Sequence, residues 1–193
     1  MEAIETFTHN GKFIEIHVDS DAQHCNPREN SNLGTFWTQE RRRTSPDAME
    51  AGRNVFSAVA DKFGGIETAE SNAKALDKAC VWLPVWCYEH SGIAYRAAPA
   101  NPFHCPWDSG QVGYVFVSRE DVRKEYGVKR ISAAVKAKAL EVLKAEVEEY
   151  SKYANGECYG FRVLDEEDGE ELDSCWGFLG FDYVKEAATE AAE

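Results

Sequence analysis

Three polar turns hold the side chains of this 193-residue chain whose types and spacing could do chemistry. The first runs from Asp19 to Gly34 and offers Asp19, Asp21, Asn26, Arg28, Glu29 and Asn32. Hard divalent cations take carboxylate and amide oxygens, so Asp19, Asp21 and Glu29 are the candidate metal ligands, although their spacing is not that of an EF-hand loop. The same residue types also bond their own backbone in ordinary turns. His90-Ser91 is the second turn, and Cys105 to Ser109 is the third. A hydrolytic arrangement needs a nucleophile, a base and an orienting group, for which His90, Asp108 and Ser109 are the catalytic candidates. Cys105 and Asp19 are alternative members. Ser109 lacks a Gly-x-Ser-x-Gly elbow, and Asp-Ser-Gly is also an ordinary start for a strand. Brought together, loops 19–32, 90–91 and 105–109 would form one site for a metal-dependent enzyme or a small-ligand binder. Zinc needs a different set: Cys87 and His90 stand three apart, and His104-Cys105 or His24-Cys25 would complete four ligands. Cys87 reads equally well as a buried small hydrophobe.

Charge points to another class of function. Acidic residues number 34 and basic residues 21, a net of −13 that repels nucleic acid and anionic membranes and favours basic partners. From Glu141 to Glu193 there are 16 acidic and 4 basic residues, so most of the excess falls in the last quarter of the chain. Its densest part is the turn holding Glu166, Glu167, Asp168, Glu170 and Glu171, the expected contacts to a basic partner. Arg41, Arg42 and Arg43 form a short basic run that finds carboxylates in so acidic a chain. Most tryptophans and tyrosines fall inside expected strands, where they are core.

Six cysteines are widely spaced with no CxxC pair, which reads as reduced thiols. No run reaches the roughly 20 apolar residues that cross a bilayer, and the first residues lack a signal-peptide pattern, so a cytoplasmic protein is expected. No cofactor is called for, a divalent cation being the one that the loop chemistry admits.

The elements that must position these turns follow from periodicity. Alternation makes Lys12 to Val18 a strand and Gly34 to Gln39 a second; Cys80 to Tyr88 is a buried strand in which Pro84 demands an edge or a bulge. Ile93–Ala97 and Gln111–Val117 follow, then a hairpin of 157–164 and 172–179 around Asp168-Gly169. Helices are expected from Ser45 to about Phe63, over Thr68–Ala79, over Arg119–Tyr126, and from about Ser132 to Ala154 with Val135, Ala139, Val142, Leu143, Val147 and Tyr150 on one stripe. The result is an α+β domain over 1–183, with a mainly antiparallel sheet of five to seven strands under one long helix and two or three shorter ones. Residues 184–193 read as an acidic Ala/Glu-rich tail.

The blocks NPRENSNLGT (26–35), HSGI (90–93), CPWDSGQVGYVFV (105–117), REDVRKEYG (119–127), EVEEYSKYANGECYGF (146–161) and DSCWGF (173–178) resemble a family of small uncharacterised accessory proteins of bacteriophages, plasmids and integrated elements. The resemblance implies a mobile-element protein, a class rich in acidic inhibitors of host defence. It also places a histidine where this chain has Glu40. The expectation is therefore a non-catalytic acidic protein that binds a basic or nucleic-acid-binding host protein, as an anti-restriction or anti-CRISPR inhibitor of the DNA-mimic type does, in the cytoplasm of a bacterial host.

Overall fold

The computed structural model describes residues 2–49 and 54–193. In chain order these form β1 (Glu5–His9), β2 (Lys12–Val18), β3 (Thr35–Thr38), α1 (Val55–Phe63), α2 (Ala69–Ala79), β4 (Cys80–Glu89), β5 (Ile93–Ala97), β6 (Ser109–Ser118), α3 (Arg119–Glu125), α4 (Ala133–Ala154), β7 (Cys158–Asp165), β8 (Glu171–Leu179) and α5 (Phe181–Ala191). The class is α+β with antiparallel pairing and one long helix, as the sequence implies. The eight strands lie in two four-stranded sheets rather than one, ordered β1-β2-β7-β8 and β3-β6-β4-β5. The chain divides accordingly into two compact units, Met1–Pro27 with Lys152–Glu193, and Arg28–Ser151. Among the described residues no helix is long and apolar enough to cross a membrane.

In the first unit, Asn10 and Gly11 take positive φ (51° and 73°), the turn that suits a two-residue hairpin, and so add β1 to the expected β2. Ile14 stands opposite Val163 and Ile16 opposite Phe161, putting four apolar side chains on one face of the sheet. Helix α5 covers that face with Val184 and Ala188, and Ala192 follows just beyond its end. Burying such a side chain contributes about 1.5–3 kcal/mol for Val, Ile or Phe. The segment expected as a tail is therefore this helix: its alanines pack and its glutamates face outward.

In the second unit the sheet is covered on both faces. Val55, Val59 and Leu76 of α1 and α2 pack on Tyr114 and Phe116, while α4 meets Phe36 and Tyr95 through Tyr150 on the opposite face. Pro84 lies next to a register shift at Val85/Trp86, and its carbonyl accepts from the Ala98 amide just past the end of β5, so its missing N–H falls where the β5 ladder has ended. Along α4, Ala139, Leu143 and Val147 are buried as the stripe implies, but Val142 is exposed and Glu146 and Ser151 are buried with them. Helix α1 is shorter than expected. Asn54 caps it by accepting from Ser57 N at 2.8 Å, and residues 50–53 of the expected helix lie outside the described residues. Ser45 and Asp47 instead close the free edge of β3: the Phe36 amide donates to Asp47 Oδ2 at 2.6 Å and the Thr38 amide to Ser45 Oγ at 3.1 Å.

Candidate functional site

A cleft of about 480 Å³ opens in the second unit where β3 runs out into Gln39–Arg43, facing the end of β4 and the residues Trp107–Gly110. The loop that feeds it is braced by its own side chains. Asn101 Oδ1 accepts from the Phe103 amide at 3.0 Å and Asn101 Nδ2 donates to Ser109 Oγ at 2.9 Å. Ser109 Oγ donates to the Cys105 carbonyl at 2.5 Å, and the Cys105 thiol donates to Asp108 Oδ2 at 3.2 Å. The Asp108 carbonyl accepts from the Glu89 amide at 2.9 Å, so this loop and the 90–91 turn are neighbours. What the bracing leaves out is Trp107, whose surface is 92% exposed.

Two of the three expected turns thus meet, without assembling a triad. The Ser109 proton is directed to a carbonyl, and among the described residues no side-chain bond joins His90 to Asp108 or Ser109. The floor of the cleft is a set of residues that composition hides. Glu40, its side chain 9% exposed, accepts from the Tyr95 hydroxyl and lies 3.9 Å from Arg43 Nη1, while Arg43 Nη2 holds Glu89 at 3.1 Å. Burial, reinforced by Glu40, pushes the Tyr95 hydroxyl up and carries the Cys87 thiol up to about 12. Both stay protonated at neutral pH. Cys87 is therefore a packed thiol, and neither His90 nor the Cys105 loop joins it in a metal-binding group among the described residues.

The first polar loop is divided between the units: Asp19 and Asp21 belong to one, Arg28, Glu29 and Asn32 to the other. Arg28 is consumed by structure, as its buried guanidinium holds Asp47 and Glu146. Asp21 and Glu29 are exposed, and neither joins Asp19 in a ligand-like group. Asp19 is buried instead beside Cys25 and Cys158, whose sulfurs form a disulfide across 133 residues; the expectation of six reduced thiols is corrected at these two positions. Their pairing had no local sequence signal, because spacing alone does not pair cysteines.

The acidic turn lies at the tip of the β7–β8 hairpin with Glu166, Glu167, Asp168, Glu170 and Glu171 all exposed. Asp165 Oδ1 accepts from the Glu167 amide at 2.8 Å and Asp168 Oδ1 from the Glu170 amide at 2.9 Å, which fixes the turn around Gly169 at φ 73°. Glu171 differs from its neighbours: Arg162 Nε donates to it at 2.7 Å and holds its carboxyl below the ordinary range. Among the described residues no ion pair neutralises the other four.

Compared with known proteins, the chain matches no family model, no curated protein and no solved structure.

Proposed function

We propose that this chain is a non-catalytic acidic accessory protein of a bacteriophage or other mobile element that binds a basic, nucleic-acid-binding host protein through the β7–β8 hairpin. The observation that carries the reading is where the charge lies. The first unit contains 17 acidic and 4 basic residues, a net of −13, and the second 17 and 17, a net of zero. The whole excess therefore belongs to the smaller unit and culminates at an ordered turn whose carboxylates face solvent. Such a field steers a cationic partner and imitates the charge that a DNA-binding protein recognises. Restriction and CRISPR effector proteins are the partners of that kind a mobile element meets, in the cytoplasm of its bacterial host.

The test combines Glu166→Lys, Glu167→Lys, Asp168→Lys and Glu170→Lys, leaving Glu171 on Arg162. Against a panel of purified restriction and CRISPR effectors, the parent chain is expected to block DNA cleavage. The variant should associate about 10²–10³-fold more slowly at low salt. Unchanged binding by the variant, or no inhibition of any effector by the parent chain, would sink the reading.

Trp107 favours a second reading, capture of a small anionic aromatic ligand in the cleft. An indole that is 92% exposed offers a stacking face in a cleft that Arg41 and Arg42 also line. Titrated with nucleoside monophosphates and aromatic carboxylates, the protein should show quenching of tryptophan emission that Trp107→Ala abolishes. Equal quenching in that variant would remove the cleft from consideration.

A further inference from the structure

We infer that Cys25 and Cys158, when reduced, join Asp19 and His24 in a binding site for a thiophilic divalent cation, zinc being the ion that the donor set fits. The Sγ atoms of Cys25 and Cys158 and a carboxylate oxygen of Asp19 all lie within 4.8 Å of one another. His24 Nε2 is 3.1 Å from Asp19 Oδ2, the same oxygen that lies 4.0 Å from Cys25 Sγ. Donors around a tetrahedral zinc, at about 2.0–2.3 Å from the ion, stand roughly 3.3–3.8 Å apart. The carboxylate and the two sulfurs are thus gathered at one place; the sulfurs, bonded to each other in the oxidised state, separate on reduction, and His24, which lies outside that group of three, turns its half-exposed ring from Asp19 Oδ2 toward them to complete the set. Sulfur with nitrogen in a four-donor set selects zinc over calcium or magnesium.

The surroundings favour a cation as well. Asp19 is 7% exposed, and among the described residues its ion-pair partner is His24, whose side chain is 50% exposed. A buried carboxylate is costly unless paired, and a half-solvated imidazole is a weak partner for it. The unit around it carries the −13 net charge, which concentrates cations. Bonds other than the sulfur bond tie the same residues together: the Asp19 amide donates to the Cys158 carbonyl at 2.9 Å, and the Asp21 amide donates to Asp19 Oδ1 at 3.0 Å. The exposed edge of His24 is the way in.

Disulfide and metal site are alternative states of the same two sulfurs. A thiol or phosphine reductant supplies two electrons and leaves as its own disulfide or oxide; the Cys25–Cys158 bond breaks and each sulfur takes a proton. The entering cation then displaces both thiol protons to solvent. A reducing cytoplasm favours the dithiol state. Metal capture at this place and binding of a basic partner are independent properties, and either can fail alone.

Cobalt(II) is the probe, added to the full chain after phosphine reduction. The expected result is one ion bound per chain, with sulfur-to-cobalt charge-transfer bands and the intense visible bands of tetrahedral coordination, displaced by zinc and absent from the oxidised protein. His24→Ala and Asp19→Asn should each weaken binding about 10-fold or more. His24 is half exposed, so its replacement leaves the fold intact and keeps the test valid even if Cys25→Ser unfolds. The proposal is overturned if the reduced chain gives no such spectrum, or if both variants bind cobalt as the parent does, since the ion would then sit on other thiols. Loss of folded structure on reduction that metal does not restore overturns it as well.

Discussion

Replacing Arg28 with alanine is expected to cost about 3–5 kcal/mol of stability, seen as a lowered urea midpoint for the loss of near-ultraviolet circular dichroism. The side chain is 4% exposed and forks onto Asp47, with Nε to Oδ1 at 2.9 Å and Nη2 to Oδ2 at 2.7 Å. Nη1 reaches Glu146 at 3.1 Å and Asn32 at 2.9 Å, and Nη2 also donates to the Gly34 carbonyl at 2.6 Å. Burial works against the charge, but Asp47 and then Glu146 outweigh it and hold the guanidinium above its ordinary pKa. Removing the cation strips Asp47 and Glu146, whose side chains are 22% and 9% exposed, of the charge they share, which is why loss of one partner costs more than the intact set contributes. Lysine has the charge without the planar fork, so Arg28→Lys should recover little. A midpoint for Arg28→Lys close to that of the parent would show that the fork geometry is immaterial.

The same network shows what was legible in the sequence. Helix α4 follows from its 3.6-residue stripe, yet Glu146 sits on that stripe beside Leu143 and Val147, where an apolar residue belongs. That mismatch is the signal of a buried partner. It does not say which one, because Arg28 is 118 residues away and the pairing arises only when the Leu33 and Gly34 amides also reach Glu146. The β1 strand has its cue in Asn10-Gly11, but the same dipeptide at Asn155-Gly156 follows the end of α4 and opens no hairpin, so the cue alone does not add the strand. The partition into two sheets rests on β2 pairing with β7, a choice between distant strands that local alternation cannot make. The cleft was half visible: Asp108 and Ser109 are recognisable as a shaped turn, but Glu40 and Arg43 look like solvated surface until Tyr95 and Glu89 are brought against them.

Both the network and the cleft depend on β3, and Gly113→Ala is expected to detach it. A Cβ at position 113 would lie 1.9 Å from the Trp37 carbonyl oxygen, 2.8 Å from Thr38 Cα and 2.9 Å from the Trp37 carbonyl carbon. These are backbone atoms of the neighbouring strand, which cannot turn aside as a side chain can. Gly113 pairs with Thr38 on one side and Val85 on the other, so it cannot retreat without disturbing β4. Overpacking of this kind costs about 1–3 kcal/mol and can cost more where backbone must move. The strain falls on a four-residue strand and on the bond from the Gln39 amide to the Val112 carbonyl, at 2.8 Å, that anchors the start of the cleft. The expected consequence is local opening of 35–43 ahead of global unfolding. Trypsin reads it directly, because Arg41, Arg42 and Arg43 lie in that segment and cleavage follows the open population: the rate should rise roughly 5–100-fold. Gly110 is the control, since a Cβ there meets nothing within 4 Å, and Gly110→Ala should be cut at the parent rate. If Gly113→Ala were cut no faster than Gly110→Ala, the close approach of β3 and β6 would not be what holds Gln39–Arg43 over the cleft.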